Sequence, residues 1–96
     1  MDGSGPVASA LREKLRGAFA PLDLVIEDES ARHAGHSGAR KGGESHFRVR
    51  IVSAAFTGLS RVERQRLVYA AVADEIAGGL HALALTTLTP EEAERL

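Results

Sequence analysis

The chain of 96 residues contains no cysteine and no tryptophan, and only 4% of its residues are aromatic. The absence of cysteine excludes disulfide bonds and any metal centre built wholly from the chain's own thiolates. The scarcity of rings indicates an aliphatic core and few platforms for stacking nucleic acid bases. No apolar run approaches the length of about 18 residues that a membrane span needs, and the first residues, MDGSGPVAS, lack the regions of a secretory signal. We therefore expect a soluble, cytoplasmic protein that does not bind membranes.

Charge is nearly balanced overall but unevenly distributed. The formal net charge is −1, yet residues 40–66 hold seven basic side chains against Glu44 and Glu63, a balance of +5. Such a segment suits a phosphate backbone or an acidic partner, although a salt-bridged solvated face gives the same pattern. The basic residues are Arg40, Lys41, Arg48, Arg50, Arg61, Arg64 and Arg66.

Hydrophobic periodicity predicts the elements in the first half of the chain. After a disordered tail over residues 1–5, apolar residues at a spacing of four predict an amphipathic helix from Pro6 to about residues 17–21. Alternation predicts strands over residues 22–28 and 45–53, with Arg48 and Arg50 on the outer face opposite Asp23 and Glu27. The inward residues are expected to be Leu22, Leu24, Ile26, Phe47, Val49 and Ile51. The connection between these strands, residues 30–44, is long for a hairpin, which is typical of a functional or disordered loop.

Capping signals place the remaining elements. Ser60 with Glu63 predicts the start of a helix, and the glycines at 78 and 79 predict its end. The buried face of this helix is expected to comprise Val68, Tyr69, Val72, Ala73, Ile76 and Leu80. An apolar strand follows over residues 82–88, parallel to the second strand because a helix connects them, and Thr89, Pro90 and Glu92 predict a short final helix.

The order α-β-β-α-β-α predicts a single-domain α+β sandwich over residues 6–96. Its three-stranded mixed sheet is covered by helices on one face, and the other face is open to solvent.

Several motifs of this sequence resemble the BolA family. They are RHAGH in the long loop, then GESHFRVRIVS, AFTGLSRVERQRLVY and DEIAGGLHALALTTLTPEE, and the match runs from about residue 22 to residue 92. The resemblance implies a class II KH-like fold. Two positions depart from the usual pattern: Gln65 replaces a frequent histidine, and Leu80 replaces a usual valine.

The resemblance also implies a function that is not enzymatic. Proteins similar to this one pair with monothiol glutaredoxins of the CGFS type and share a [2Fe–2S] cluster with the glutaredoxin and glutathione, in cluster trafficking or in iron and redox regulation. The family's ligands carry over to His81 in the HAL motif and to His33 in the loop, with His36 as its alternative. The chain is expected to carry no cofactor and to be a monomer when alone.

The histidines of this chain are chemically suited to supply half of the ligands of a metal site that is shared with a partner. Neutral imidazole is a common metal ligand, and two imidazoles on one iron form a Rieske-like arrangement. A self-contained zinc site from His33, His36 and His46 with Glu44 is a weaker alternative. We assign His46 a structural role at the start of its strand.

A second function attributed to the family is DNA-binding transcriptional regulation in stress response and cell morphology. Its candidate contacts are Arg48, Arg50, Arg61, Arg64 and Arg66. These arginines cannot share one surface if the helix covers the face opposite Arg48 and Arg50. The string GHSG at residues 35–38 spells the phosphate-clamping GxxG of KH domains, but it lies between strands rather than helices, so we discount it.

Overall fold

The structure is a computed structural model that describes residues 5–29, 46–80 and 82–95. Its elements follow the predicted order, except that the second helix is divided in two. They are α1 (Pro6–Phe19), β1 (Asp23–Asp28), β2 (His46–Val52), a 3₁₀ turn (Ala54–Phe56), α2 (Arg61–Ala71), α3 (Ala73–Ala77), β3 (Ala82–Leu88) and α4 (Pro90–Glu94).

The three strands form one mixed sheet in the order β1-β2-β3. β1 and β2 are antiparallel, with Asp28 opposite Phe47. β2 and β3 are parallel, and their register aligns His46 with Ala82 and Val52 with Leu88. The predicted topology is confirmed, including the parallel pairing that the intervening helix requires.

The core lies between this sheet and the helices α1 and α2. Leu11 and Leu15 of α1 and Val68 and Val72 of α2 are fully buried, and they pack against the inward side chains of β2. Those inward side chains are Phe47, Val49 and Ile51. The core is largely aliphatic, as expected, but it also contains all three phenylalanines, and the rings of Phe19 and Phe56 lie 5.2 Å apart. Arg48 lies exposed on the opposite face of the sheet.

The predicted single helix after Ser60 is interrupted at Val72. This residue leaves helical geometry, with φ −115° and ψ 24°, and serves as the end of α2 and the start of α3. The break rotates the following residues away from the stripe that a continuous helix would present. Ile76, which follows the break and was expected on the buried face, is 37% exposed. Tyr69, also expected there, is 40% exposed, but it precedes the break, which therefore does not explain its exposure. Ala73 is exposed as well.

The prediction that Leu22 faces the core is wrong, since its side chain is 72% exposed. Leu22 lies in the bend that precedes β1, where the alternation of strand faces has not yet begun. Its N–H still donates to the carbonyl of Val52. The backbone of Leu22 therefore extends the hydrogen bonding between β1 and β2, while its side chain does not contribute to the core.

None of the helices in the described ranges combines the length and the hydropathy that crossing a membrane would require.

Candidate functional site

The three proposed metal ligands, His33, His36 and His81, lie outside the described residues. The fourth histidine, His46, is half-buried at the start of β2. Within the described ranges no group of three or more histidine and carboxylate side chains is placed to hold a metal ion. The described part of the chain thus offers no self-contained metal centre.

The described residues that flank the candidate ligands meet at one end of the sheet. The N–H of Glu29 donates to the carbonyl of His46 at 2.8 Å, which closes the β1–β2 ladder where residues 30–45 leave and return. The register places His46 beside Ala82, the first residue of β3. Segment 30–45 and position 81 are therefore joined covalently to the same end of the sheet.

A groove of about 330 Å³ opens beside the start of β3. Leu80 and Ala82, the neighbours of position 81 in sequence, both line it. Its other walls are Tyr69, Ile76 and Leu83, and the Tyr69 hydroxyl donates to the Leu83 carbonyl at 3.2 Å. Sequence reasoning placed Tyr69 and Ile76 in the core and so missed this groove, although the paired glycines at 78 and 79 marked the turn beside it.

The open face of the sheet carries paired charges rather than a basic patch. Arg50 donates to Asp23 at 2.5 Å and Arg48 donates to Glu29 at 3.1 Å. The hydrogen bond and charge of Glu29, with a weaker contribution from Glu27, raise the pKa of Arg48 above its usual value. The expected pairing across β1 and β2 is confirmed for Asp23, whereas Glu29 replaces Glu27 as the hydrogen-bond partner of Arg48.

Arg64 is held inside a network at the end of β3. Its side chain is 11% exposed and donates to Glu92 at 2.6 Å, to the Thr87 carbonyl at 3.1 Å and to the Leu59 carbonyl at 3.0 Å. The Arg64 hydrogen bond, helped by the Thr89 backbone N–H, lowers the pKa of Glu92 to about 2. Of the arginines proposed for DNA contact on α2, Arg61 and Arg66 are exposed.

Comparison with known proteins gives a consistent family signal. A family model described as BolA-like protein matches residues 15–92. The chain is 49% identical over 87 residues to the protein BOLA1, chloroplastic, of Arabidopsis thaliana, covering 88% of this chain and 54% of that relative. It is 43% identical over 90 residues to the DNA-binding transcriptional regulator BolA of Escherichia coli, covering 94% of this chain and 82% of that relative.

The fold comparison agrees. The BolA domain of SufE1 from Arabidopsis thaliana superposes with a TM-score of 0.83 at 46% identity, covering 92% of this chain and 96% of that domain. This chain spans about half the length of the full-length plant relative BOLA1. Neither BOLA1 nor the bacterial regulator has a name that describes an enzymatic activity.

Proposed function

Because the chain belongs to the BolA-like protein family, we propose that it is a non-enzymatic adaptor that shares a [2Fe–2S] cluster with a CGFS monothiol glutaredoxin. His81 and a loop histidine, His33 or His36, supply the ligands from this chain. The glutaredoxin and glutathione supply the thiolates that a cysteine-free chain lacks. The role is cluster trafficking or iron and redox regulation.

One observation supports the proposal above the others: the parallel register that places His46 beside Ala82. Segment 30–45 returns to the sheet at His46, and position 81 is one peptide bond from Ala82, so both ligand-bearing parts of the chain are tethered to one end of the sheet. Two imidazoles tethered in this way suit one iron of a Rieske-like cluster, whose reduction potential is higher than that of a cluster with four thiolates.

The groove beside β3 is a suitable docking site for the glutaredoxin, because its lining includes both sequence neighbours of His81. Tyr69 and Ile76 present half-exposed apolar surface there, and the residues on both sides of position 81 line the same groove. Aromatic and aliphatic side chains in a concave site are typical of the centre of a protein interface. Ile76→Glu should therefore weaken the complex, whereas Val62→Glu, an exposed position of α2 away from the groove, should not.

Cluster reconstitution tests the ligand assignment. Mixing this chain with a CGFS glutaredoxin, iron, sulfide and glutathione should give a coloured heterodimer whose absorption and circular dichroism differ from those of the glutaredoxin homodimer. His81→Ala should remove the heterodimer spectrum, and His33→Ala and His36→Ala should identify the loop ligand. His46→Gln is the control and should keep the spectrum. An unchanged spectrum when His81, His33 and His36 are all replaced would refute the assignment.

The relation to the Escherichia coli regulator favours DNA binding as a second candidate function. The arrangement of charges limits it: Arg48 and Arg50 are paired with carboxylates, and Arg64 is held by Glu92. Exposed Arg61 and Arg66 leave about two phosphate contacts on α2, so a shallow dependence of affinity on salt is expected. A titration of duplex DNA at several salt concentrations checks this, and no measurable binding at low salt would eliminate the candidate.

A further inference from the structure

Helix α3 lies between two buried residues but buries none of its own. Val72 precedes it and Leu80 follows its terminal turn, and both side chains belong to the core. The residues from Ala73 to Ala77 are all at least partly exposed. A helix of five residues is far too short to be stable by itself, so its position depends on contacts with neighbouring elements.

Lys14 of α1 contacts both carboxylates of this helix. Its ammonium donates to Glu75 at 2.9 Å and to Asp74 at 3.5 Å. The side chain of Asp74 is 93% exposed, whereas that of Glu75 is only 12% exposed. The hydrogen bond with Glu75 is the main cause that raises the pKa of Lys14 above its usual value. Glu75 is therefore the principal partner, because an ion pair that is shielded from water is screened less.

Glu75 also holds the turn that leads into β3. The N–H of Leu80 donates to the Glu75 carbonyl at 3.2 Å, and the N–H of Gly79 donates to the Ile76 carbonyl at 3.3 Å. Leu80 is the residue immediately before position 81. Glu75 thus contacts α1 through its side chain and the entry to β3 through its backbone.

The same helix forms one wall of the groove beside β3. Ile76, the neighbour of Glu75, lines the groove together with Leu80. Another wall is held in place by the hydrogen bond from the Tyr69 hydroxyl to the Leu83 carbonyl. Any displacement of α3 moves Ile76 relative to that wall, so the contact between α1 and α3 controls the shape of the groove.

We infer that Lys14 is a positioning residue: its ion pair with Glu75 holds α3 against α1 and so fixes both the groove and the turn that leads to position 81. The inference rests on the proposed function, because it identifies what prepares the groove for the glutaredoxin. Lys14 does not line the groove, so its effect is transmitted through α3. A groove that is ordered before the partner arrives lowers the entropic cost of binding.

Hydrogen exchange of the chain alone, followed by NMR, tests the tether. Lys14→Met keeps the aliphatic stem and removes the charge, and it should speed exchange of the Leu80 and Gly79 amides about two- to fivefold. Glu75→Gln should have a similar effect. The double variant should lose no more protection than Lys14→Met, because both changes remove the same pair. Asp74→Asn, which removes the exposed and more distant carboxylate, is the matched control and should leave exchange unchanged.

Binding of a CGFS glutaredoxin measures the consequence for function. Lys14→Met should weaken the affinity about two- to fivefold in titration calorimetry and change the visible circular dichroism of the shared cluster. Asp74→Asn should do neither. Glu92→Gln, which breaks the Arg64 pair at the other end of β3, is the control for a general loss of stability and should leave affinity and spectrum unchanged.

Faster exchange together with weaker binding, confined to the Lys14 and Glu75 variants, supports the inference. Unchanged exchange of Leu80 in Lys14→Met overturns it, as do faster exchange without weaker binding and an equal loss of affinity in Glu92→Gln. Additive effects in the double variant overturn it as well, since the two side chains would then act separately. A wild-type chain that forms no complex with the glutaredoxin refutes the proposed function instead, and hydrogen exchange still decides whether Lys14 holds α3.

Discussion

At the residue scale, Ala20 adopts an unusual backbone conformation. It ends α1 in the left-handed region, with φ 44° and ψ 54°, and its N–H donates to the Arg16 carbonyl. Among the described residues other than glycine, it alone has a positive φ. The conformation costs an L-residue roughly 1–2 kcal/mol, which explains why glycine usually occupies this position after a helix.

Ala20→Gly should therefore stabilise the protein. Relief of the left-handed strain exceeds the roughly 0.4–1 kcal/mol that glycine adds to the entropy of the unfolded chain, so we expect a net gain of about 0.5–1 kcal/mol. Urea denaturation measures the change. Ala18→Gly, an exposed position within α1, is the matched control and should lose about 0.5–1 kcal/mol. Equal losses in both variants would contradict the assignment of strain to Ala20.

Individual residues show where alternation of apolar and polar residues predicts side-chain orientation correctly and where it does not. Alternation identified Phe47, Val49 and Ile51 as inward because each lies within a strand and has neighbours on both sides. It misplaced Leu22 because the pattern does not reveal where the bend ends and the strand begins. It predicted Glu27 as a partner of Arg48, whereas a long arginine side chain reaches diagonally to Glu29.

At the element scale, Arg64 and Glu92 connect α2, β3 and α4. Glu92 also accepts from the Thr89 backbone N–H in the capping box that begins α4. The folded-state pKa of Glu92, about 2, lies below its ordinary value of 4.5, so the contribution of this carboxylate to stability is fully present above pH 4.5. The contribution is lost as the pH falls through the window from about 4.5 to about 2.

Glu92→Gln should reduce stability at neutral pH, and the difference from the wild type should shrink as the pH falls from 5 to 2. Unfolding free energies measured by urea at several pH values check this. Glu91→Gln, in the same helix, removes only an exposed pair with Arg95 and should have little effect at neutral pH. A difference between Glu92→Gln and the wild type that is constant over this pH range would refute the linkage.

Elements with local signals were predictable, and those that depend on packing were not. The capping boxes at Ser60 and Thr89 gave the helix starts at their observed positions, and the apolar strand over residues 82–88 was predicted with its observed bounds. No proline or glycine lies at or next to Val72, so the sequence does not predict the break between α2 and α3. It became visible only in the structure, and with it the groove that Tyr69 and Ile76 line.

At the scale of the whole molecule, the absence of cysteine yields a further prediction. In the proposed heterodimer every thiolate comes from the glutaredoxin or from glutathione, because this chain has none. Treating this chain with iodoacetamide before mixing should leave the reconstituted cluster absorbance unchanged. The same treatment of the glutaredoxin should abolish the absorbance. Clusters that form with the alkylated glutaredoxin would contradict a shared site.

The site was predictable only in part for a reason of chain topology. The candidate ligands are separated widely in sequence. The parallel strand order, which the sequence predicts, places His46 and Ala82, the residues that follow segment 30–45 and position 81, side by side. The choice between His33 and His36 depends on residues outside the described ranges, and neither periodicity nor capping distinguishes them. The chemistry of the side chains limits which residues are candidate ligands, and the strand pairing limits which of these candidates can lie close together.

The parallel pairing of β2 with β3 also bears on how the sheet is assembled. It joins segments that are far apart along the chain, and such pairing forms more slowly than the contact of β1 with β2. Until β3 docks, the apolar strand β2 would itself be an open edge, and Arg48 and Arg50 are the charged residues it carries. Charged residues within a hydrophobic strand oppose aggregation. We therefore expect these two arginines, which are paired with carboxylates in the finished fold, to protect the folding chain as well, and neutral replacements should lower the yield of refolding from urea.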